Sequence, residues 1–332
     1  MHGDDRVLVI CEVADNQISN TARELLAVGR QLANDSGLEL AAGLTGVGLE
    51  SAADGAIAAG ADKVYMVDHP LLAEYQVELN LAALAGICHE AAPTILLIGR
   101  TEAGRELAPR LAFRLGVGLA QDCLEVSLDP ESLRLRAHRP VYGGNAMAVV
   151  ACSGTPQMAC IRPKAYEPLE ADESRKGITI PVNVSLNASM AKVKVVNVIK
   201  EESEGIRLED AKIVISGGRG LGGPESFAQI EDLAHILDAA SGASRAAVDS
   251  GWVPTSWQIG LTGKTITPDL YITVGISGAS QHMAGCSGAK TIVAINKDPE
   301  SNIFKEARYG VVGDWRKVLP AFTEAVRDLV KS

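Results

Sequence analysis

Short apolar runs alternate with segments of helical periodicity through the first third of the chain. Short uninterrupted apolar runs are typical of strands buried on both faces of a sheet, and apolar positions three and four residues apart are typical of the helices that cover it. The pattern therefore predicts βαβ units with a parallel sheet. The predicted strands are Val7–Glu12, Leu38–Leu44, Lys63–Val67 and Thr94–Ile98, and the predicted helices are Thr21–Asn34, Ser51–Ala59, Glu78–Glu90 and Gly104–Leu115.

The sequence pattern changes from Gly118 to Ile199, where short segments typical of β-strands are separated by turn residues. We interpret this stretch as a mixed β extension of the first domain. A polar segment, Lys200–Gly205, follows it and precedes a fresh apolar strand. The sequence therefore predicts two domains, 1–204 and 205–332.

The second half starts the α/β pattern again on a smaller scale. Its predicted strands are Lys212–Ser216, Leu270–Gly275 and Thr291–Ile295, and its predicted helices are Glu225–Ala239 and Trp315–Val330. This order predicts a smaller domain of the doubly wound type. The fold class is thus α/β, with an N-terminal α/β domain and its mixed β extension followed by a doubly wound domain.

Composition narrows the function classes. The chain has 332 residues, 47% of them hydrophobic, and a formal net charge of -10, which disfavours nucleic acid as a partner. Its six cysteines form no C-x-x-C pair, so we expect no disulfide framework, iron–sulfur cluster or other metal site. Neither a leader pattern nor an apolar stretch long enough for a membrane span is recognisable, and we expect a cytoplasmic protein that is not embedded in a membrane.

Two glycine-rich turns follow predicted strands of the second domain. The first, Gly218–Gly223, has the spacing G-x-G-x-x-G at the start of a predicted helix, and the second is Gly275–Ser280. Such turns lie at the carboxyl ends of parallel strands, where open α/β sheets bind dinucleotides. The acidic residue expected on the ribose falls at Asp238, inside the predicted helix. From these residues alone, a dinucleotide site and a turn that only packs helix on sheet both stay open.

Taken together, the motifs of the second domain resemble those of the α subunit of electron transfer flavoproteins. The match is carried by four motifs in order, with looser agreement in the first domain around Gly104–Arg110, Arg139–Asn145 and Pro156–Ala159, and it covers nearly the whole chain. The four motifs are Ser216–Gly220, Gly242–Asp249, Gln258–Thr265, and Gly275–Gly285 continuing to Ala294–Pro299.

The resemblance implies that the second domain binds FAD and that the first packs against a separate β subunit. It implies a set of cofactor-binding residues, with Arg219 and Ser244 at the pyrophosphate and Asn296 and Asp314 at the adenosine half. The full implied set is Arg219, Ser244, Arg245, Gln258, Thr262, Gly263, Ser277, Gly278, Ala279, Gln281, His282, Asn296 and Asp314.

The same resemblance implies roles at the flavin ring. Thr262 would hydrogen-bond near N5, Arg245 would lie over the isoalloxazine, and His282 would face its N1/O2 edge. A cation and hydrogen-bond donors there would stabilise the negative charge of the reduced ring and raise its potential. Leu261 departs from the family, in which many members have glutamine.

The function implied is that of an electron carrier that converts no substrate of its own. It would accept electrons from flavin dehydrogenases, of the acyl-CoA type in fatty acid β-oxidation, and pass them to a membrane quinone oxidoreductase. One alternative is a subunit of an electron-bifurcating, NADH-dependent flavoprotein complex, with a second FAD on the β subunit. The others are a nicotinamide-dependent oxidoreductase that uses the first glycine-rich turn, and a scaffold subunit whose flavin site has decayed.

Overall fold

The computed structural model describes residues 6–142, 146–193, 195–197 and 206–331. Clustering of the chain separates two compact units, Met1–Ile199 and Lys200–Ser332. The polar segment Lys200–Gly205 and the Gly143–Asn145 part of one family motif lie outside the described residues.

Sixteen strands and helices that enclose two apolar layers are described in the first unit. The predicted strands and helices of its first third are all present, with ends shifted by a few residues. In chain order the elements are β1 Arg6–Ile10, β2 Val13–Ala14, β3 Gln17–Ile18, α1 Asn20–Ser36, β4 Glu39–Gly46, α2 Glu50–Ala58, β5 Lys63–Asp68, α3 Val77–Ala91, β6 Ile95–Gly99, α4 Glu102–Leu115, β7 Leu119–Cys123, β8 Glu125–Leu128, β9 Leu135–Val141, β10 Ala146–Val150, β11 Gln157–Ile161 and β12 Ile178–Pro181.

A seven-stranded sheet forms the centre of this unit, in the order β12-β5-β4-β1-β6-β11-β7, with every pair parallel. Strand β11 is buried at all five positions because it lies between β6 and β7 in the sheet. The stretch predicted as a mixed β extension therefore contributes three parallel strands to the main sheet, β7, β11 and β12. Its other strands form the antiparallel sheet β10-β9-β8.

The second unit is an α/β layer structure around one parallel sheet. The sequence predicted three of its six strands, and the structure adds β14, β15 and β18; the predicted helix Glu225–Ala239 is shorter than expected. The elements are β13 Ile213–Gly217, α5 Phe227–Ile236, β14 Ala240–Ser244, α6 Arg245–Asp249, β15 Gln258–Ile259, β16 Leu270–Val274, α7 Ser280–Met283, β17 Thr291–Asn296, α8 Ile303–Glu306, β18 Tyr309–Val312 and α9 Trp315–Lys331.

Strand order in the second sheet is β15-β14-β13-β16-β17-β18, all parallel. Numbered from one in chain order, this is 3-2-1-4-5-6, the order of the doubly wound dinucleotide-binding fold. The order reverses between β13 and β16, so the two strands followed by glycine-rich turns are neighbours. The predicted fold class is confirmed, and the topology places the expected ligand crevice at the carboxyl ends of these two strands.

Glu24 on α1 is a carboxyl group buried in the first unit. It is 8% exposed and accepts a hydrogen bond of 2.6 Å from the backbone N–H of Lys164. Burial raises the pKa of Glu24 from 4.5 to about 7, more than the Lys164 hydrogen bond lowers it. The folded state therefore holds this proton more tightly than the unfolded chain does.

We expect Glu24→Gln to stabilise the first unit at alkaline pH. Because the folded pKa is raised, the free energy of unfolding of the wild type falls as pH rises from about 4.5 to 7, whereas glutamine stays neutral and still accepts from Lys164. The stability gain should grow by about 2 kcal/mol between pH 5 and pH 8. Urea unfolding followed by far-UV circular dichroism measures it.

The tryptophans supply an internal control for this experiment. All three, Trp252, Trp257 and Trp315, lie in the second unit, so their fluorescence follows that unit alone. Their unfolding midpoint should not change in the variant. A gain that is equal at pH 5 and pH 8 would contradict the raised pKa.

Candidate functional site

The two glycine-rich turns of the second unit pack against each other at the switch point of the sheet. The Gly220 N–H donates to the carbonyl of Gly275 over 3.0 Å, and the Gly218 N–H donates to the carbonyl of Val274 over 2.8 Å. A Cβ at Gly220 would lie 2.7 Å from the Gly275 oxygen, and a Cβ at Gly218 would overlap the same atom. These glycines are thus required by the approach of one turn to the other.

A cavity of about 630 Å³ lies beside these turns, within the size range of small-molecule and cofactor sites. Loops after five parallel strands supply its walls, so residues far apart in sequence meet at one sheet edge. Most of the residues predicted to bind a cofactor line it. They are Arg219, Ser244, Arg245, Gln258, Thr262, Ser277, Ala279, Gln281, His282 and Asn296.

Three residues in the predicted set do not line the cavity. Gly263 lies in a tight turn, where a Cβ would overlap the carbonyl of Gln258. Gly278 has φ of +75° and packs against the backbone of Ile303. Asp314 immediately precedes α9, where its carboxylate accepts from the Arg316 N–H over 3.0 Å. In this structure these residues act in backbone geometry and helix capping, and their contacts with the cofactor stay predictions.

Several polar residues that the sequence analysis did not single out line the cavity as well. Asp249 ends α6, one turn after Arg245, and Asp298 and Ser301 follow β17. Ser301 is itself fixed by hydrogen bonds of 3.1 Å to Asn296 and to the carbonyl of Ser277. No sequence motif marks these three residues as part of a site, because the order of the strands is what brings them to the cavity.

Hydrogen bonds within the protein fix two of the predicted polar side chains. The Asn296 amide donates to the carbonyl of Ile276 over 2.9 Å, while its oxygen accepts from the Asp298 N–H over 3.0 Å. The Gln258 amide donates to the Thr262 hydroxyl over 3.1 Å. Both side chains are therefore held in place without a ligand.

Arg245 supplies a positive charge at the cavity wall and is paired with a carboxylate. Its Nε lies 3.2 Å from Asp249, and both side chains are more than half exposed. Arg219 lines the cavity on the turn after β13. The wall thus carries two guanidinium groups, one of which is partly neutralised by its neighbour.

His282 is buried, and both nitrogens of its ring have partners within the protein. Its Nε2 lies 2.8 Å from the Tyr271 hydroxyl, and its Nδ1 lies 3.1 Å from the carbonyl oxygen of Ile259. Burial lowers the pKa of His282 to about 4, so the ring is neutral. Both ring nitrogens have partners inside the protein and His282 also lines the cavity, so its contact with the flavin N1/O2 edge stays a prediction.

Comparisons with known proteins decide the family. The profile described as "Electron transfer flavoprotein domain" matches residues 7–187, and the profile described as "Electron transfer flavoprotein FAD-binding domain" matches residues 207–287. A relative from Thermoanaerobacterium thermosaccharolyticum, named electron transfer flavoprotein subunit alpha, is 43% identical over 324 residues, covering 97% of this chain and 98% of the relative. The chain belongs to the electron transfer flavoprotein α-subunit family.

Other members of this flavoprotein family are similarly close. Protein FixB of Clostridium saccharobutylicum is 38% identical over 327 residues, covering 98% of this chain and 97% of the relative. The "acryloyl-CoA reductase electron transfer subunit beta" of Anaerotignum propionicum is 35% identical over 353 residues, covering 97% and 95%. The resemblance stated from the sequence motifs is thus confirmed at the level of the family.

The first glycine-rich turn is not accompanied by the acidic residue that a nicotinamide-dinucleotide site of this fold also requires. The fingerprint of such a site places an acidic residue at the carboxyl end of the second strand. Here the second strand, β14, ends at Ser244 and is followed by the cation Arg245. Asp238, the acidic residue considered from the sequence, lies in the turn before β14 and not inside the helix. The arrangement does not favour the nicotinamide-dependent alternative.

None of the helices in the described part of the chain is both long and apolar enough to cross a membrane.

Proposed function

We propose that the chain binds FAD in the cavity of its second unit and works as the α subunit of a heterodimeric electron carrier. The observation that carries the proposal is the meeting of the two glycine-rich turns and their polar neighbours at the switch point of a 3-2-1-4-5-6 sheet. The match of the same residues to a FAD-binding domain profile supports it.

The cavity fits an elongated, doubly charged dinucleotide. Arg219 follows β13 and Ser244 ends the neighbouring strand β14, so the two would supply a cation and a hydroxyl for the pyrophosphate. Gly218 and Gly220 allow the two turns to pack directly on each other beside the cavity, because a side chain at either position would meet the backbone of Gly275. The donor set therefore suits a phosphate at one part of the cavity and a hydrogen-bonding ring at another.

Bound FAD would supply reversible electron transfer, and the chain's own residues would position and tune it. Thr262, held by Gln258, would present its hydroxyl to the ring near N5. Arg245 would place a positive charge near the ring, where reduction adds negative charge. In this proposal the protein binds and orients the flavin and sets its potential, and carries out no chemistry on a substrate.

The partners in the proposal come from the family. A β subunit would complete the heterodimer, flavin dehydrogenases of the acyl-CoA type would donate electrons, and a membrane quinone oxidoreductase would accept them. The relative from Thermoanaerobacterium thermosaccharolyticum is named "subunit alpha", which supports a β subunit as the partner. We place this carrier in the cytoplasm.

A second candidate function is supported by one relative. The Anaerotignum propionicum protein is named as an electron transfer subunit of an acryloyl-CoA reductase, and that name mentions no quinone. In that case the chain would serve a bifurcating complex in which NADH is the donor and the β subunit carries a second FAD. The α-subunit cavity would have the same role in both cases.

The flavin content of the co-purified heterodimer tests both candidates. One FAD per heterodimer, reduced by an acyl-CoA dehydrogenase with its substrate and not by NADH, supports the quinone-linked carrier. Two FAD per heterodimer with reduction by NADH favours the bifurcating complex. A stable heterodimer without flavin would overturn the proposal and favour a scaffold subunit.

A further inference from the structure

Residues 258–264, here called the Thr262 loop, form a closed turn at the cavity. Strand β15 leads into the loop, and Gln258 and Thr262 both line the cavity. Two backbone hydrogen bonds close the turn, from the Gly260 N–H to the carbonyl of Lys264 over 3.2 Å and from the Lys264 N–H to the carbonyl of Gln258 over 2.7 Å. Lys264 is therefore the residue at which the chain returns from the cavity.

Main-chain hydrogen bonds attach the Thr262 loop to the segment around α7. The Leu261 N–H donates to the carbonyl of Gln281 over 2.7 Å. Just after the loop, the Ile266 N–H donates to the carbonyl of Gly285 over 2.8 Å. This attachment depends on backbone groups, so it does not require a particular side chain on the loop.

A side chain from outside the loop holds Lys264. Its Nζ lies 2.6 Å from the carboxylate of Glu209, in the turn before β13. The neighbouring Leu208 is 5% exposed and belongs to the same apolar cluster as Ile259 and Ile266, which stand on either side of Lys264 in the chain. The turn that carries Glu209 is therefore anchored in the core beside the base of the loop, and it presents the carboxylate from a fixed position.

The pair is charged and partly shielded from water. Burial alone would raise the pKa of Glu209, but the hydrogen bond and the charge of Lys264 outweigh burial, so the pKa is lowered. The side chains are 40% exposed for Lys264 and 32% for Glu209, against 70% and 54% for Lys290 and Asp269 elsewhere in the same unit. Solvent therefore screens the Glu209–Lys264 pair less than that more exposed pair.

We infer that Glu209 is a positioning residue of the flavin site: its ion pair with Lys264 holds the Thr262 loop in the place from which Gln258 and Thr262 reach the cavity. The inference rests on the proposed function in taking the cavity as the FAD site. Glu209 and Lys264 do not line the cavity themselves, so in this inference they act through the loop.

Two single substitutions separate positioning from charge. Glu209→Gln removes a negative charge and Lys264→Met a positive one, so an effect of charge alone on the anionic pyrophosphate would tighten FAD binding in the first variant and weaken it in the second. Loss of positioning instead weakens binding in both, by roughly threefold for a partly exposed pair. Flavin fluorescence of the heterodimer gives the dissociation constant. Opposite signs, or an unchanged constant in Glu209→Gln, would overturn the inference.

The reduction potential is a readout that a loss of stability alone does not move. In the proposed function the Thr262 hydroxyl donates near N5 and stabilises the reduced ring, so a displaced loop should lower the potential in both variants. Charge alone would raise the potential in Glu209→Gln and lower it in Lys264→Met. Spectroelectrochemical titration measures both, and a raised potential in Glu209→Gln would contradict positioning.

Asp269→Asn is the matched control. Asp269 pairs with Lys290 over 2.8 Å at the amino ends of β16 and β17, the edge of the sheet opposite the cavity, so its loss should change neither readout. The double variant Glu209→Gln, Lys264→Met should bind FAD no more weakly than either single variant. Additive losses, or equal losses in Asp269→Asn and Glu209→Gln, would overturn the inference. Thermal unfolding shows that each variant is folded.

Hydrogen exchange tests the loop without relying on FAD. In the flavin-free heterodimer, the Gly260 and Lys264 amides should exchange roughly threefold faster in Glu209→Gln than in the wild type, because the hydrogen bonds that close the loop open more often. Unchanged exchange would overturn the inference. If the heterodimer binds no FAD, the proposed function fails, while exchange in the same sample still decides whether Glu209 holds the loop.

Discussion

Gly218→Ala should reduce FAD binding by about ten- to a hundredfold, because the added methyl group would overlap the carbonyl oxygen of Gly275. That oxygen belongs to the backbone of the second turn and also accepts from the Gly220 N–H, so it has no free direction in which to move. Overpacking of this kind typically costs about 1–3 kcal/mol. The two turns would have to separate, and with them Arg219 and Ser277, which both line the cavity.

Gly223→Ala is the matched control within the same glycine-rich turn. There the added methyl group would meet the Glu225 carboxylate, the end of a flexible side chain, and Gly223 does not line the cavity. FAD retained per heterodimer after gel filtration, and the FAD dissociation constant by fluorescence, measure both variants. Equal retention by the two variants would mean that the packing of turn on turn does not shape the site.

Arg245→Ala should lower the reduction potential of the bound flavin by tens of millivolts. The side chain lines the cavity and its positive charge would oppose the negative charge that reduction adds to the ring. For a one-electron couple, about 59 mV corresponds to roughly 1.4 kcal/mol. Because Arg245 is more than half exposed and solvent screens it, the shift should be smaller at high salt. Spectroelectrochemical titration of the heterodimer measures it.

Asp249→Asn should change the potential in the opposite direction. The Asp249 carboxylate lies 3.2 Å from the Arg245 guanidinium, so removing its charge leaves the cation unopposed at the cavity wall. Arg245→Lys, which keeps the charge, should lie between Arg245→Ala and the wild type. Shifts of the same sign in Arg245→Ala and Asp249→Asn would show that charge at this wall does not set the potential.

Much of the fold could be predicted from local patterns in the sequence. Burial on both faces gives β1, β4, β6 and β16 largely apolar sequences. The strands missed in the second unit lack that signal, since β14 is built from alanine, serine and glycine and β18 is exposed along its length. Small or exposed residues form strands there only because a neighbouring strand pairs with them.

The candidate site was predicted in part, through glycine spacing and family motifs. Arg219, Ser244, Gln281 and Asn296 do line one cavity, since each lies at or after the carboxyl end of a strand and parallel strands bring these ends to one edge. Asp314, included by motif, does not line the cavity and caps α9, so its contact with the adenosine half stays a prediction. A motif gives the identity of a residue along the chain, whereas the direction of its side chain depends on elements that pack against it.

The sequence by itself determined the parallel α/β class, the restart of the pattern after the polar segment, and the two glycine-rich turns, because periodicity and glycine content act over a few residues. The tertiary structure alone decided that Gly218 packs on Gly275 and that Tyr271 and Ile259 hold His282 between them. These contacts join elements that are distant along the chain or separated by a turn, and they arise only once the strands have taken the order 3-2-1-4-5-6. The physical reason is that burial and hydrogen bonding at the site are properties of the assembled sheet edge, which no single segment contains.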